Sequence, residues 1–145
     1  MSAVSEIMSA GIVTADGDAG LSALDIAAKL AGNRAGAVII LEKGRPAGII
    51  TERDVLKRVS AQNKKAQDVQ ARSIMSSPLI TVRAYDSVDT AAAAMTQNKI
   101  KRLPVVETDG SLVGMISATD IARKLGKILA DDYNRFRSLR HVLDL

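Results

Sequence analysis

The sequence predicts an α/β fold of the α+β kind, built from two tandem β-α-β-β-α repeats. Three observations carry that expectation. "GIITERD" at 48–54 returns as "GMISATD" at 114–120. "EIMSAGIVTA" at 6–15 returns as "SIMSSPLITV" at 73–82. Between these phrases both halves show one order of hydrophobic patterns, and a shared order is more specific than any single match. The offsets are 74 − 7 = 67 for the earlier pair and 114 − 48 = 66 for the later one. One extra residue is therefore expected in the first copy, most simply in the turn "LEKGRP" compared with "ETDGSL".

Each half opens on a short apolar segment, "GIVT" or "PLITV". A helical pattern follows: Leu21, Leu24, Ile26, Ala27, Ala28 and Leu30 in one copy, Val88, Ala91, Ala92 and Met95 in the other. The first helix is expected from about 20 to 32, stopping near Gly32-Asn33. The second is expected from about 87 to 98, with Asp86 or Ser87 as N-cap. Two strands joined by a Gly-containing turn come next, "GAVIILEKGRPAGIIT" and "RLPVVETDGSLVGMIS". A run such as "AVIIL" marks a strand covered on both faces. A last helix starts at each repeated phrase. The polar "SAQNKKAQDVQ" reads as a linker that enters a short helix near Asp68. Beyond residue 127, Ile128, Leu129, Tyr133, Phe136, Leu139 and Leu143 fall roughly on one helical face. That face is expected to pack on the second half, with a dimer contact as the alternative.

Composition narrows the function. Of 145 residues, 47% are apolar but only 2% aromatic, so the core is aliphatic. Tyr85, Tyr133 and Phe136 are too few to stack the bases of single-stranded nucleic acid. The lack of cysteine excludes disulfides, thiol catalysis and thiolate metal sites, and fits a reducing cytoplasm. His141 has no second histidine with which to build a zinc site. There is no apolar run of about 18 residues to span a membrane, and "MSAVSEIMSAG" does not read as a signal peptide. The net charge is +4, with basic residues gathered in 53–65 and 135–141. These stretches read as solvated faces or a linker, or else as contacts to an anionic ligand or partner.

The repeated phrase has two readings. Thr51 with Asp54, and Ser117 with Asp120, each set a hydroxyl at N-cap and an acid at N3, a capping box worth about 1 kcal/mol. The same geometry suits a ligand. A strand ending at a helix N-terminus turns backbone N–H groups and partial positive charge outward, toward a phosphate. The hydroxyl adds one bond to that phosphate, and the aspartate one turn on can accept two from a ribose diol. As helix-start acids, the aspartates stay ionised and accept hydrogen bonds rather than shuttle protons.

Both halves resemble CBS (cystathionine β-synthase) domains, and the pair resembles a Bateman module. The likeness covers about residues 5 to 125 and rests on "IMS…IVT", "IMSSPLITV", "GIITERD" and the run "RLPVVE-DG-LVGMIS-TD". The first half departs from it with "NRAGAVII" where the second has "IKRLPVV". The division expected is a first domain at 5–62, a linker at 63–72, a second domain at 73–126 and a helical extension at 127–145. The resemblance implies packing about a pseudo-twofold axis, with two equivalent clefts for adenine nucleotides. It implies that Asp54 and Asp120 hold ribose hydroxyls while Thr51 and Ser117 meet phosphate. Backbone of Ile12, Val13 and Thr14, and of Leu79, Ile80 and Thr81, would face the base. Lys101, Arg102 and Arg53 are the phosphate candidates, and Thr119 and Pro104 complete the set. Ala118 stands opposite Arg53, so the clefts should bind unequally.

The function expected is a stand-alone regulatory or sensor module, cytoplasmic, with no catalytic residues and no metal. Its ligand would be AMP, ADP, ATP or S-adenosylmethionine, bound non-covalently, and the ligand would change how the halves pack. A homodimer is expected, burying an apolar helical layer, along with a regulated protein partner. Membrane association is not expected and nucleic-acid binding only as weak, salt-sensitive contact. The rival reading is an architectural dimerisation module without ligand, in which the caps only cap.

Overall fold

The computed structural model describes the backbone of residues 2–142 and the side chains of residues 2–139. It opens on a short helix, α1 (Val4–Ile7), and then builds the first sheet from β1 (Thr14–Asp16), β2 (Ala37–Glu42) and β3 (Arg45–Thr51). α2 (Ala23–Asn33) is the crossover that lets β1 lie parallel to β2, and β3 returns antiparallel as a hairpin. α3 (Glu52–Arg58) closes the half. The second half repeats the order with β4 (Val82–Arg83), α4 (Val88–Asn98), β5 (Arg102–Val106), β6 (Leu112–Ser117) and α5 (Ala118–Val142). Each sheet has the strand order first, second, third. The opening strands start later than expected and are only 3 and 2 residues long.

Helix boundaries follow local chemistry. Ser22 caps α2 in a full capping box with Asp25, and Ser87 caps α4 through the Thr90 N–H. Neither helix ends on glycine. Arg34 and Lys99 take the left-handed C-cap conformation, at φ 49° and 53°, one residue past the expected stop in the first copy. The run from Ala37 to Ile40 is buried at every position, as a strand covered on both faces requires.

The caps and registers also relocate the length difference between copies. Ala15 pairs with Ile40 and Val82 with Val105, an offset of 82 − 15 = 67. From N-cap to N-cap the offset is 87 − 22 = 65, and from Thr51 to Ser117 it is 117 − 51 = 66. The first copy thus carries two extra residues between β1 and α2, where Gly17–Ala19 forms a 3-10 turn held by the Asp16 carboxylate. The second copy carries one extra residue in its hairpin. The single insertion expected in "LEKGRP" is corrected to these two.

The halves exchange their opening segments. Val4 is fully buried with Leu103, Val105 and Ile116 in the second core. Ala71 and Ile74 join Val38, Ile40 and Ile50 in the first. Ser9 trades two backbone hydrogen bonds with Met115 (2.8 and 2.9 Å), and Ser76 does the same with Ile49 (2.9 and 3.1 Å). The repeated glycine makes this crossing possible. A Cβ at Gly114 would lie 2.6 Å from Met8 Sδ and 2.9 Å from the Ser9 carbonyl. One at Gly48 would lie 2.7 Å from Met75 Sδ and 3.0 Å from the Ser76 carbonyl. "IMS" of one copy therefore docks on the glycine strand of the other, and two small cores fold as one body.

α5 departs from expectation. Ile121 packs on the second core, but the helix runs on unbroken for 25 residues. Leu125, Leu129, Tyr133, Phe136 and Leu139 are 54–62% exposed. The expected packing of residues beyond 127 on the second half is corrected: that stripe faces solvent. Leu143 lies outside the described residues.

Candidate functional site

β3 and β6 each run straight into a helix, so a capping residue sits at the C-terminal end of both hairpins. Thr51 accepts the Asp54 N–H at 3.2 Å and donates its hydroxyl to Asp54 Oδ2 at 3.0 Å. The same Oδ2 accepts the Thr51 N–H at 2.8 Å. In the second copy Ser117 Oγ accepts the Asp120 N–H at 3.1 Å, and Asp120 Oδ2 accepts the Ser117 N–H at 2.9 Å. Both aspartates therefore do cap. Each keeps a second oxygen outside the cap: Oδ1 of Asp54 lies 3.9 Å from Arg58 Nε, and Oδ1 of Asp120 accepts a hydrogen bond from Arg123 at 3.4 Å. The carboxylates are held rigid yet remain 15% and 18% exposed, so capping and ligand binding are compatible.

What surrounds the two caps differs. Thr51, Glu52, Arg53 and Asp54 form one wall of a cleft of about 650 Å³. The other half supplies the opposite wall: Ser76, Pro78, Leu79 and Ile80 ahead of β4, then Lys99, Ile100, Lys101, Arg102 and Pro104 entering β5. Gly36 and Ile49 also line it. A cavity of this size falls within the range of small-molecule sites. Its composition, aliphatic beside cationic, suits a ligand with an apolar ring and an anionic tail.

Eight of the expected residues meet here: Thr51, Arg53, Asp54, Leu79, Ile80, Lys101, Arg102 and Pro104. Seven do not. Ile12 and Thr14 line a separate opening of about 430 Å³ between the two hairpin turns. Val13 packs against the first core, and Thr81 is exposed outside the cleft. Ser117, Thr119 and Asp120 lie at the pseudo-equivalent position of the second half, so they belong to no wall of this cleft.

The sequence reading missed Lys99 and Glu52. Lys99 is the left-handed C-cap of α4, and the only signal for it was a third cation close to Lys101 and Arg102 in sequence. Glu52 was hidden inside the capping phrase. The pairing of Ala118 with Arg53 is corrected by the caps. Counting from Thr51 and Ser117, Glu52 corresponds to Ala118 and Arg53 to Thr119. The Glu52 N–H binds the Gly36 carbonyl and the Ala118 N–H binds that of Lys101, so Gly36 corresponds to Lys101 and Ala37 to Arg102. Gly36 also leaves room for its neighbour: a Cβ there would overlap the Arg102 guanidinium.

The CBS domain family model matches this sequence twice, at residues 4–61 and 71–127. The chain belongs to the CBS domain family. An uncharacterized protein of Methanopyrus kandleri is 43% identical over 101 residues, covering 69% of this chain and 52% of that protein. The chain thus spans about half the length of that curated relative. Among solved structures, the CBS domain protein PAE2072 from Pyrobaculum aerophilum, complexed with AMP, is 31% identical with a TM-score of 0.74. The match covers 82% of this chain and 89% of that one. The CBS domain pair of protein MJ0100, in complex with 5′-methylthioadenosine and S-adenosyl-L-methionine, is 30% identical with a TM-score of 0.76. It covers 88% of this chain and 98% of that one. This is therefore a CBS domain pair, related to pairs that bind adenosine derivatives. Among the described residues no cluster fit for a metal ion and no helix able to cross a membrane is found.

Proposed function

We propose that this CBS pair is a regulatory module, without catalysis of its own, that binds an adenine nucleotide in the cleft between its halves. The domain division that goes with it is 5–62 and 73–126 joined by the linker 63–72. The observation that carries the reading is the cleft itself. It joins a carboxylate already fixed by a capping box to aliphatic side chains and to cations from the opposite half. Asp54 Oδ1 takes the ribose hydroxyls, Leu79 and Ile80 cover the base, and Arg53, Lys101 and Arg102 meet phosphate. The AMP and S-adenosylmethionine complexes of the two solved relatives support this ligand class. A ligand touching both walls changes their packing, and a protein partner reads that change.

Thermal melts with AMP, ATP and S-adenosylmethionine against buffer test the proposal. A ligand at 100 times its dissociation constant stabilises by about 2.7 kcal/mol, a clear upward shift in melting temperature. No shift with any adenosine compound, with calorimetry also flat, sinks it.

The exposed stripe from Leu125 to Leu139 favours a second, compatible role: dimerisation. Side chains of that size are rarely left uncovered together. We propose a homodimer, with α5 joining the apolar helical layer at the contact. Light scattering that shows a monomer at micromolar concentration overturns this part alone.

A further inference from the structure

The charges lining the cleft are more numerous than one phosphate requires. Arg53, Lys99, Lys101 and Arg102 all reach it, against Glu52 and Asp54. One oxygen of Asp54 is taken up by its cap and the other lies 3.9 Å from Arg58, so it offsets little of that positive charge. Among the described residues, none of the four cations has an acid within 4.0 Å. They also come from both halves, Arg53 from the first and the other three from the second. α3 is only seven residues long, so its dipole is short and phosphate must be held mainly by these side chains.

The second copy breaks the set. The positions corresponding to Arg53, Lys99, Lys101 and Arg102 are Thr119, Arg34, Gly36 and Ala37. Three of four cations are gone, while the capping aspartate remains.

We infer that the cleft selects a nucleoside di- or triphosphate, one molecule per chain, over a monophosphate or a sulfonium-bearing adenosine. This rests on the reading of the cleft as a nucleotide site. A monophosphate brings about two negative charges, enough to engage one wall. A phosphate chain crosses the mouth, engages Arg53 on one wall and Lys99, Lys101 and Arg102 on the other, and so holds the halves together. Arg presents a fork to two oxygens at once, while Lys offers a point charge that follows the chain. Glu52 opposes the anion and limits the preference. A cationic sulfonium gains nothing from the four cations.

Calorimetric titration of ATP, ADP, AMP and S-adenosylmethionine at fixed ionic strength, without divalent cations, reads this out. With charge-assisted bonds gained on both walls, ATP should bind at least about tenfold more tightly than AMP, at one equivalent per chain. Lys101→Ala and Arg53→Ala, both at exposed positions, should each weaken ATP more than AMP and so remove most of that ratio. Glu52→Gln should widen it. Inorganic tripolyphosphate serves as the control. AMP binding as tightly as ATP, or two equivalent sites, overturns the inference while the nucleotide reading stands. Tripolyphosphate binding as tightly as ATP, or no adenine compound binding at all, overturns both.

Discussion

The two halves share a backbone and differ in charge. Strand order, capping box and the glycine under the crossing segment are all present twice. Yet one cap opens on a wide cleft carrying four cations, whereas the corresponding positions around the other hold Arg34, Gly36, Ala37 and Thr119. Residues that fold the repeat are constrained in both copies by the same packing. Comparing a duplicated chain with itself thus shows both aspartates in caps, while only Asp54 lines the wide cleft, which is the basis for proposing that it alone meets the ligand.

The largest effects should come from what the halves exchange. Ile74→Ala empties part of the first core from the opening segment of the second half, and should cost about 2–5 kcal/mol in chemical denaturation. If it costs less than about 1 kcal/mol, the exchange of opening segments is not a source of stability. Gly48→Ala and Gly114→Ala force a methyl against methionine sulfur and a backbone carbonyl, and should each cost about 1–3 kcal/mol. Similar losses for both would sharpen the view that the crossing is symmetric. A loss at one alone would break it.

Smaller effects bear on the caps. Thr51→Ala removes the hydroxyl that receives the Asp54 N–H, and should cost about 1 kcal/mol. Ser117→Ala should cost about the same. Equal losses in melting experiments confirm that capping is shared, whatever the clefts do. On α5, Leu129→Glu and Phe136→Glu should change monomer stability by less than about 0.5 kcal/mol, because both side chains are exposed. Their effect should appear in oligomeric state.

Much of this was legible in the sequence for identifiable reasons. The strand at Ala37–Glu42 shows as an unbroken apolar run, and Ser87 shows as a hydroxyl before a helical pattern. The pairing of Thr51 with Asp54 is three residues long, so it survives in sequence order. What was hidden is non-local. Nothing in "MSAVSEIMSAG" says that Val4 enters the core of the second half, because apolar patterning marks burial without naming the partner. The position of the length difference was hidden too, since two insertions of opposite sense cancel to one. α5 was misjudged because an amphipathic stripe looks alike whether its cover comes from the same chain or another. Half the cleft was seen because the family resemblance pointed to Lys101 and Arg102, whereas Lys99, which closes α4, lies outside the motifs that carry it.

We propose that one of the two matched aspartates binds while both cap. The most direct measurement is calorimetric titration of ATP into Asp54→Asn and Asp120→Asn, with a melting curve for each. Asn caps nearly as well as Asp in hydrogen-bond terms, so both variants should melt close to the parent. An amide offers one acceptor and a misplaced donor where the carboxylate offers two acceptors. Asp54→Asn should therefore lose affinity by roughly 10- to 150-fold, the equivalent of about 1.5–3 kcal/mol. Asp120→Asn should bind as the parent does. Equal losses in the two variants, or a loss confined to Asp120→Asn, would contradict the account.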